Sequence, residues 1–213
     1  MIGKIASYIL WGLVGGIIGV GVSVAGNNIG KLDSEPALSP HVKVTYEDYG
    51  GYGSATHIGN GYFLTAAHVI KDGKVPLLDG ERMADVLWVN KKYDVAFLRA
   101  YAKDMNSAPL DCREPDAGER VSLYGNPLNL ESVTTWGQVS GSAREVGPWA
   151  SVNPVNAAIA PGMSGGALID EDGDLVGVNV GVMVMPVGFA GGPVGIGYSV
   201  PASVVCMLMG LDR

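Results

Sequence analysis

Three segments of the chain carry side chains that together are able to cleave an acyl bond. Residues 161–166 are Pro-Gly-Met-Ser-Gly-Gly, and the glycines around Ser164 allow the sharp turn that leaves a hydroxyl accessible. His68 ends the segment Thr-Ala-Ala-His, which follows an apolar run, and Asp94 opens another apolar run. The chain therefore presents a base, an acid and a nucleophile in the order His68, Asp94, Ser164.

Each of these groups has a defined role in acyl transfer. A free serine hydroxyl is a weak nucleophile, so Ser164 needs a base within hydrogen-bond reach, and His68 is the candidate. An imidazole takes the proton and later returns it to the leaving amine near neutral pH. Asp94 is the candidate that fixes the histidine tautomer and stabilises the imidazolium. The backbone amides of Gly162 and Ser164 are the candidate donors of an oxyanion hole.

Each motif taken alone also has an ordinary structural explanation. A glycine-rich segment is often a plain turn, a histidine after an apolar strand is often packed in the core, and an aspartate often caps a turn. The joint presence and order of the three motifs favour a catalytic triad. The other two histidines, His41 and His57, lie in no such motif, and we expect His57, in mid-strand, to face solvent.

The three motifs and their order resemble the trypsin-like serine proteases of the chymotrypsin superfamily. Within it, the chain is most similar to the protease domain of the bacterial HtrA/Deg type. Residues 61–65 (Gly-Tyr-Phe-Leu-Thr) and 195–201 (Gly-Ile-Gly-Tyr-Ser-Val-Pro) also resemble HtrA segments, and the similarity covers about residues 41–210. The resemblance implies a serine endopeptidase that acts on a protein or peptide substrate and needs neither cofactor nor metal.

Short alternating strands separated by glycine-rich turns predict an all-β protease domain over residues 41–213. The resemblance implies two six-stranded antiparallel β-barrels with the active site between them. We place the first barrel at about 41–100, the connector at 101–117, the second barrel at 118–200 and a short C-terminal helix at 201–210. The predicted strands are 41–46, 54–58, 61–65, 74–78, 82–89, 95–100, 119–124, 132–142, 151–157, 166–169, 175–184 and 196–200.

The resemblance also locates a primary specificity pocket that contains no acidic residue. Its predicted base and walls are Ala158, Ile159, Asn179, Val180, Gly181, Ile196 and Gly197. A substrate arginine or lysine buried there would lack a counter-charge, which is costly. We therefore expect cleavage after small or medium aliphatic residues. Met163 stands where digestive enzymes carry an aspartate, so we do not expect activation by a salt bridge to a freed amino terminus.

The N-terminal part of the chain differs in composition from the rest. Residues 5–24 are uncharged and long enough to cross a membrane as a helix. Small residues at 23–25 also suit signal-peptide cleavage, so residues 1–25 are a transmembrane anchor or a cleaved signal segment. A linker over 26–40 follows. Both interpretations place the protease domain outside the cytoplasm, either tethered to a membrane or secreted, in the periplasm or the extracellular space.

The net charge and the two cysteines limit the binding partners and metal sites that the chain is expected to have. The net charge of −7 argues against nucleic acid, whose phosphates attract lysine and arginine. Cys112 and Cys206 have no metal-ligand spacing and form either two buried thiols or one disulfide. In some trypsin-like proteases the corresponding regions are bridged. The chain ends soon after the predicted helix, so we expect no PDZ domain. The sequence leaves an oligomer open and indicates none.

Two other functions stay open at this point. One is a non-catalytic scaffold or binding module that retains the protease fold. Such a protein would have an oxyanion loop held in an inactive conformation, and the uncharged Met163 is compatible with that. The other is an esterase, because the same triad cleaves esters. The order of the motifs argues against an α/β-hydrolase.

Overall fold

The computed structural model describes residues 39–187 and 190–211. The predicted anchor or signal segment (1–25) lies outside these residues, as does the predicted linker up to residue 38. Among the described helices, none is both long and apolar enough to cross a membrane. The described chain is almost entirely antiparallel β-structure with one short α-helix.

The first half forms a seven-stranded antiparallel sheet in the order β5-β4-β1-β2-β3-β7-β6. Its strands are β1 His41–Tyr46, β2 Tyr49–Gly59, β3 Tyr62–Thr65, β4 Leu77–Leu78, β5 Arg82–Met83, β6 Asp85–Asn90 and β7 Val95–Arg99. Alternate residues of β1 are buried, as expected for a strand with one face on the core. Buried apolar residues such as Phe63, Leu64 and Leu98 form this core.

The prediction of a closed six-stranded first barrel is wrong in two respects. The predicted strand 82–89 is broken at Ala84, which is buried and donates its N–H to the carbonyl of Pro76. This inward turn divides the segment into β5 and β6. No ladder joins β5 to β6 among the described strands, so the sheet stays open as a half-barrel.

The second half forms a closed six-stranded barrel, as predicted, with one additional edge strand. Its strands are β8 Arg120–Gly125, β9 Val133–Val139, β10 Arg144–Val146, β11 Trp149–Asn156, β12 Ala167–Ile169, β13 Leu175–Val187 and β14 Ala190–Pro201. The sheet order is β10-β11-β14-β13-β12-β8-β9, and β9 pairs back onto β11, which closes the barrel. The unpredicted strand β10 forms a hairpin with β11 at its edge.

The C-terminal helix α1 spans Ala202–Met209 and ends at Gly210 in the left-handed conformation. That conformation is typical of a glycine after a helix end. A disulfide joins Cys206 of α1 to Cys112 of the connector, with a Cα–Cα distance of 5.6 Å. The bond therefore ties two segments that are 94 residues apart in the sequence.

Arg113 of the connector contacts three carboxylates, two of which, Glu119 and Asp170, adjoin strands of the second barrel. Its guanidinium contacts Asp111 at 2.6 Å, Glu119 at 2.6 Å and Asp170 at 2.8 Å. The hydrogen bond from Arg113 holds the pKa of Glu119 below its usual value. Burial alone would raise the pKa of Asp170, but hydrogen bonds from the Asp174 amide and Arg113 outweigh it and leave that pKa lowered.

Candidate active site

His68 sits in a single 3-10 turn, Ala67–Val69, directly after β3. Its neighbours Ala67 and Val69 are buried, while the His68 side chain is 49% exposed. The alternation follows from the tight turn, which directs the two apolar side chains into the core and the imidazole outward. The turn therefore presents the ring at the surface of the first sheet.

Asp94 lies in the loop between β6 and β7 and holds His68 in place. Its backbone is left-handed, with φ of 56°, a conformation that aspartate tolerates better than most residues. Oδ2 accepts the His68 Nδ1–H at 2.7 Å, and Oδ1 accepts the His68 backbone N–H at 2.9 Å. The carboxylate partner assigns the proton to Nδ1, so Nε2 is the atom available to accept one.

The Ser164 loop is a series of tight turns whose geometry depends on glycine. The Met163 N–H donates to the Ala160 carbonyl, and Gly162 has φ of 101°. Pro161 and Gly162 are thus the central residues of a type II turn, which favours proline and then glycine. Ser164 Oγ makes no hydrogen bond to His68 or to any other described residue. Catalytic hydrogen bonds are often long before substrate binds.

The two candidate oxyanion donors belong to peptide units whose carbonyls are already bonded. The Pro161 carbonyl accepts the Leu128 N–H at 3.0 Å, and the Met163 carbonyl accepts the Gly166 N–H at 3.0 Å. In a trans peptide the N–H points away from the carbonyl. Each of the N–H groups of Gly162 and Ser164 therefore points away from the bonded carbonyl of its own peptide unit. Neither donates to an atom in the described part of the chain.

Ser54 of β2 connects the first sheet to this loop, a role that sequence analysis did not predict. Its N–H donates to the Ser164 carbonyl at 2.8 Å, and its hydroxyl donates to the Gly162 carbonyl at 2.8 Å. The same hydroxyl accepts the backbone and side-chain N–H groups of Asn126 at 2.9 and 3.1 Å. Ser54 is fully buried, so these bonds are shielded from water. No local pattern marks a serine whose partners are 72 and 108 residues away.

The predicted specificity residues divide into several groups. Val180 lines a cavity of about 510 Å³ together with His68 and Asp94. Ala158 instead lines a second cavity, of about 920 Å³, whose lining residues include no member of the predicted triad. The Asn179 side chain is fully buried and bonds inward, donating to the Ala167 carbonyl at 3.0 Å.

The backbone of Asn179 contributes to the site even though its side chain does not line it. Its carbonyl accepts the Gly165 N–H at 2.7 Å, and its N–H donates to the Gly166 carbonyl at 2.8 Å. The remaining predicted pocket residues lie close together. The Ile159 side chain covers Gly197 so closely that an added Cβ would overlap it, and the Gly181 carbonyl is 3.7 Å from the same point.

The prediction that His57 faces solvent is wrong. His57 is 4% exposed, its Nδ1 lies 2.7 Å from the Asn106 carbonyl, and its Nε2 accepts the Gly61 N–H at 3.1 Å. Both ring nitrogens are used because the connector folds back over β2. Within residues 39–187 and 190–211, no cluster of three or more His, Cys, Asp or Glu side chains has an arrangement that could hold a metal ion.

His41 is expected to make the stability of the protein depend on pH. It stacks on Tyr124 with ring centroids 4.1 Å apart, and burial lowers its pKa from 6.5 to about 4. As pH falls below 6.5, the unfolded chain binds a proton that the native state binds only near pH 4. Stability is therefore retained above pH 6.5 and lost as pH decreases through this window.

We expect urea denaturation to give a free energy of unfolding about 1–2 kcal/mol lower at pH 5 than at pH 7 from His41 alone. His41→Phe keeps an aromatic ring on Tyr124 and removes the titration, so its stability should change less between the two pH values. Equal pH dependence in the two proteins would contradict this assignment. The carboxylates whose pKa values are lowered, Glu119 and Asp170, are present in both proteins, so their contribution cancels in the comparison.

The half-barrel, the barrel and the histidine–aspartate contact resemble a serine peptidase domain, and comparisons with known proteins show the same similarity. The family model of the trypsin-like peptidase domain matches residues 53–178. The chain is 33% identical over 158 residues to "Protease Do-like 1, chloroplastic" of Arabidopsis thaliana, covering 68% of this chain and 35% of that protein. It is also 33% identical over 153 residues to a "Probable periplasmic serine endoprotease DegP-like" of Chlamydia pneumoniae, covering 67% and 30%.

Solved structures show the same similarity. The serine endoprotease from Yersinia pestis superposes with a TM-score of 0.68 at 27% identity, over 82% of this chain and 62% of that one. A variant of the HtrA-type protease AlgW with a tripeptide superposes with a TM-score of 0.69 at 25% identity, over 83% of this chain and 62% of that one. The chain belongs to the trypsin-like peptidase family. It spans about a third of the length of the curated relatives named above.

Proposed function

We propose that the chain is a serine endopeptidase that hydrolyses peptide bonds through an acyl-enzyme. Ser164 attacks the carbonyl carbon, and His68 takes the hydroxyl proton at Nε2 and returns it to the leaving amine. Asp94 stabilises the imidazolium, and the amides of Gly162 and Ser164 bind the oxyanion. Water then attacks the acyl-enzyme, with His68 again acting as base, and releases Ser164.

The observation that carries this proposal is the 2.7 Å contact between His68 Nδ1 and Asp94 Oδ2. That contact leaves Nε2 available to accept a proton, and close packing of the Ser164 loop against the segment that leads to His68 supports the pairing of the two residues. An alanine Cβ at Gly165 would lie 2.8 Å from the Ala66 backbone nitrogen, two residues before His68. The carbonyl hydrogen bonds of the Pro161–Gly162 and Met163–Ser164 peptide units support the proposed role of their N–H groups as oxyanion donors.

The proposal is tested by labelling the full chain with a fluorophosphonate and locating the adduct by mass spectrometry. We expect a single adduct on Ser164, no adduct there in Ser164→Ala, and a large loss of labelling rate in His68→Ala. His41→Phe provides a histidine control that labels at the wild-type rate. A folded wild-type protein that does not react would refute the endopeptidase and favour the scaffold alternative.

For the substrate, we propose small or medium aliphatic residues before the scissile bond. The support is the Ile159 side chain, which fills the space above Gly197, and the absence of an acidic side chain among the predicted pocket residues. Ile159→Ala removes three carbon atoms at this point and is expected to shift a peptide-library profile towards larger residues such as Phe. A wild-type preference for Arg or Lys would contradict the proposal.

We further propose that the domain works outside the cytoplasm, attached to a membrane through residues 5–24. The disulfide between Cys112 and Cys206 supports an oxidising compartment, and a relative is named as periplasmic. Cell fractionation with an alkaline wash tests the attachment. Full-length protein retained in the membrane pellet is expected, whereas a soluble form that begins near residue 26 would identify a cleaved signal segment.

A further inference from the structure

A tryptophan from the second barrel donates a hydrogen bond to the candidate triad. Trp149 is the first residue of β11, and its indole Nε1–H donates to Asp94 Oδ2 at 2.9 Å. This is the same oxygen that accepts the His68 Nδ1–H. The aspartate and histidine belong to the first sheet, so the indole joins the two halves of the molecule at the triad.

The backbone around Trp149 holds the indole against the loop that carries Asp94. Ala150, the next residue, donates its N–H to the Lys92 carbonyl at 3.2 Å. Trp149 also pairs with Val146 in the β10–β11 hairpin. The hairpin that the sequence did not predict thus has a definite position, docked on residues 92–94 with Trp149 at the contact.

The indole ring is fixed on its other sides as well. It packs on Tyr198 with ring centroids 5.5 Å apart. A Cβ added at Gly181 would lie 2.5 Å from Trp149 Cη2, so the ring occupies the space that a side chain would otherwise fill. The direction of the N–H is therefore set by packing as well as by the hydrogen bond.

The donors around Asp94 explain why this contact matters. The carboxylate is largely buried, with a side chain 11% exposed, and it accepts two N–H groups from His68. Trp149 supplies the third donor and is the only one of the three that does not move with the histidine. A buried carboxylate with fewer donors turns more easily and admits water, which loosens the imidazole that it should orient.

We propose that Trp149 is a positioning residue for catalysis, whose N–H fixes the Asp94 carboxylate so that Oδ2 stays aligned with His68 Nδ1. This inference rests on the proposed peptidase function. Trp149 also lines the cavity of about 510 Å³ beside His68, together with apolar residues such as Ile70 and Val89. The positioning role acts on kcat, whereas contact with substrate in this cavity acts on KM.

Trp149→Phe separates the two roles because phenylalanine keeps an aromatic wall and lacks the donor. Loss of a hydrogen bond to a charged group predicts a fall in kcat of about 10- to 100-fold, with KM nearly unchanged. The rate of fluorophosphonate labelling should fall by a similar factor. Trp88→Phe makes the same chemical change at a half-buried indole on β6 and should leave both values unchanged.

Proton NMR of the full chain provides a readout that does not require turnover. A low-field signal from the His68 Nδ1 proton is expected in the wild type and in Trp88→Phe, and its loss through exchange with water is expected in Trp149→Phe. If the wild type neither cleaves nor labels, the endopeptidase proposal fails, and this signal still decides the positioning role of the indole.

A second variant covers the case in which Trp149→Phe does not fold. Gly181→Ala retains all the side chains of the triad and of Trp149, but its Cβ displaces the indole ring, so kcat should again fall with the loss of the low-field signal. Unchanged kcat and an intact signal in Trp149→Phe would overturn the inference. A rise in KM alone would assign the indole to the cavity wall and would overturn it equally.

Discussion

Replacing Gly165 with alanine is expected to reduce the fluorophosphonate labelling of Ser164 by about 100-fold or more. An alanine Cβ would overlap the Ser54 carbonyl and Thr65 Oγ1 and lie 2.8 Å from the Ala66 nitrogen. All three atoms belong to backbone or to a side chain that is already bonded, since Thr65 Oγ1 donates to the Ser54 carbonyl. The loop has to move away from the first sheet, and the Ser164 hydroxyl moves with it.

Gly118→Ala separates this overlap from the cost of an unfavourable backbone angle. Gly165 has φ of 85° and Gly118 has φ of 91°, so alanine is strained at both positions by about 1–2 kcal/mol. An added Cβ at Gly118 has no neighbour within 4 Å. The labelling rate of Gly118→Ala should therefore stay near that of the wild type. The strain of its positive φ should lower stability by about as much as the same strain does in Gly165→Ala. Equal labelling rates in the two variants would show that contact between the loop and the first sheet does not position Ser164.

The sequence predicted those parts of the site that local chemistry determines. Glycines around Ser164 indicate a tight turn, and the type II turn at Pro161–Gly162 follows the preferences of those residues. The histidine–aspartate contact was predicted from motif order, not from any local signal. The closed second barrel and the short C-terminal helix were also predicted.

What the sequence did not predict depends on contacts between distant segments. Ser54 and Trp149 are ordinary strand residues until the two halves pack, because their partners are 108 and 55 residues away. His57 became buried because the connector returns over β2, where Ala108 donates to its carbonyl at 2.9 Å. The break between β5 and β6 at Ala84 likewise depends on a hydrogen bond to Pro76 in another segment. The alternation of polar and apolar residues within a strand predicts neither contacts between the two halves nor contacts between a strand and a distant loop.

Met163, the uncharged residue next to the nucleophile, is buried, and we expect its packing to order the loop. Its side chain is 1% exposed and packs in the core of the second barrel. Gly125 lies directly against it, since an added Cβ there would be 2.8 Å from Met163 Cα. The buried residues of this cluster carry no charge: Val121, Leu123, Val139, Val155, Ala157, Leu168 and Val176. Apolar burial thus holds the residue between the two candidate oxyanion donors.

Met163→Asp is expected to lower the free energy of unfolding by about 3–5 kcal/mol at pH 7 and to abolish labelling of Ser164. The carboxylate would be buried among uncharged side chains, so either the charge stays unpaired or the loop leaves the core. Burial raises the pKa of such a carboxyl group, so the loss should diminish as pH falls and the group is protonated in the folded state. Met163→Leu keeps volume and polarity and should cost less than about 1.5 kcal/mol with labelling retained. Urea denaturation at pH 5 and pH 7, with labelling rates for both variants, measures these effects. A stable, reactive Met163→Asp protein would show that packing of this side chain does not order the oxyanion loop.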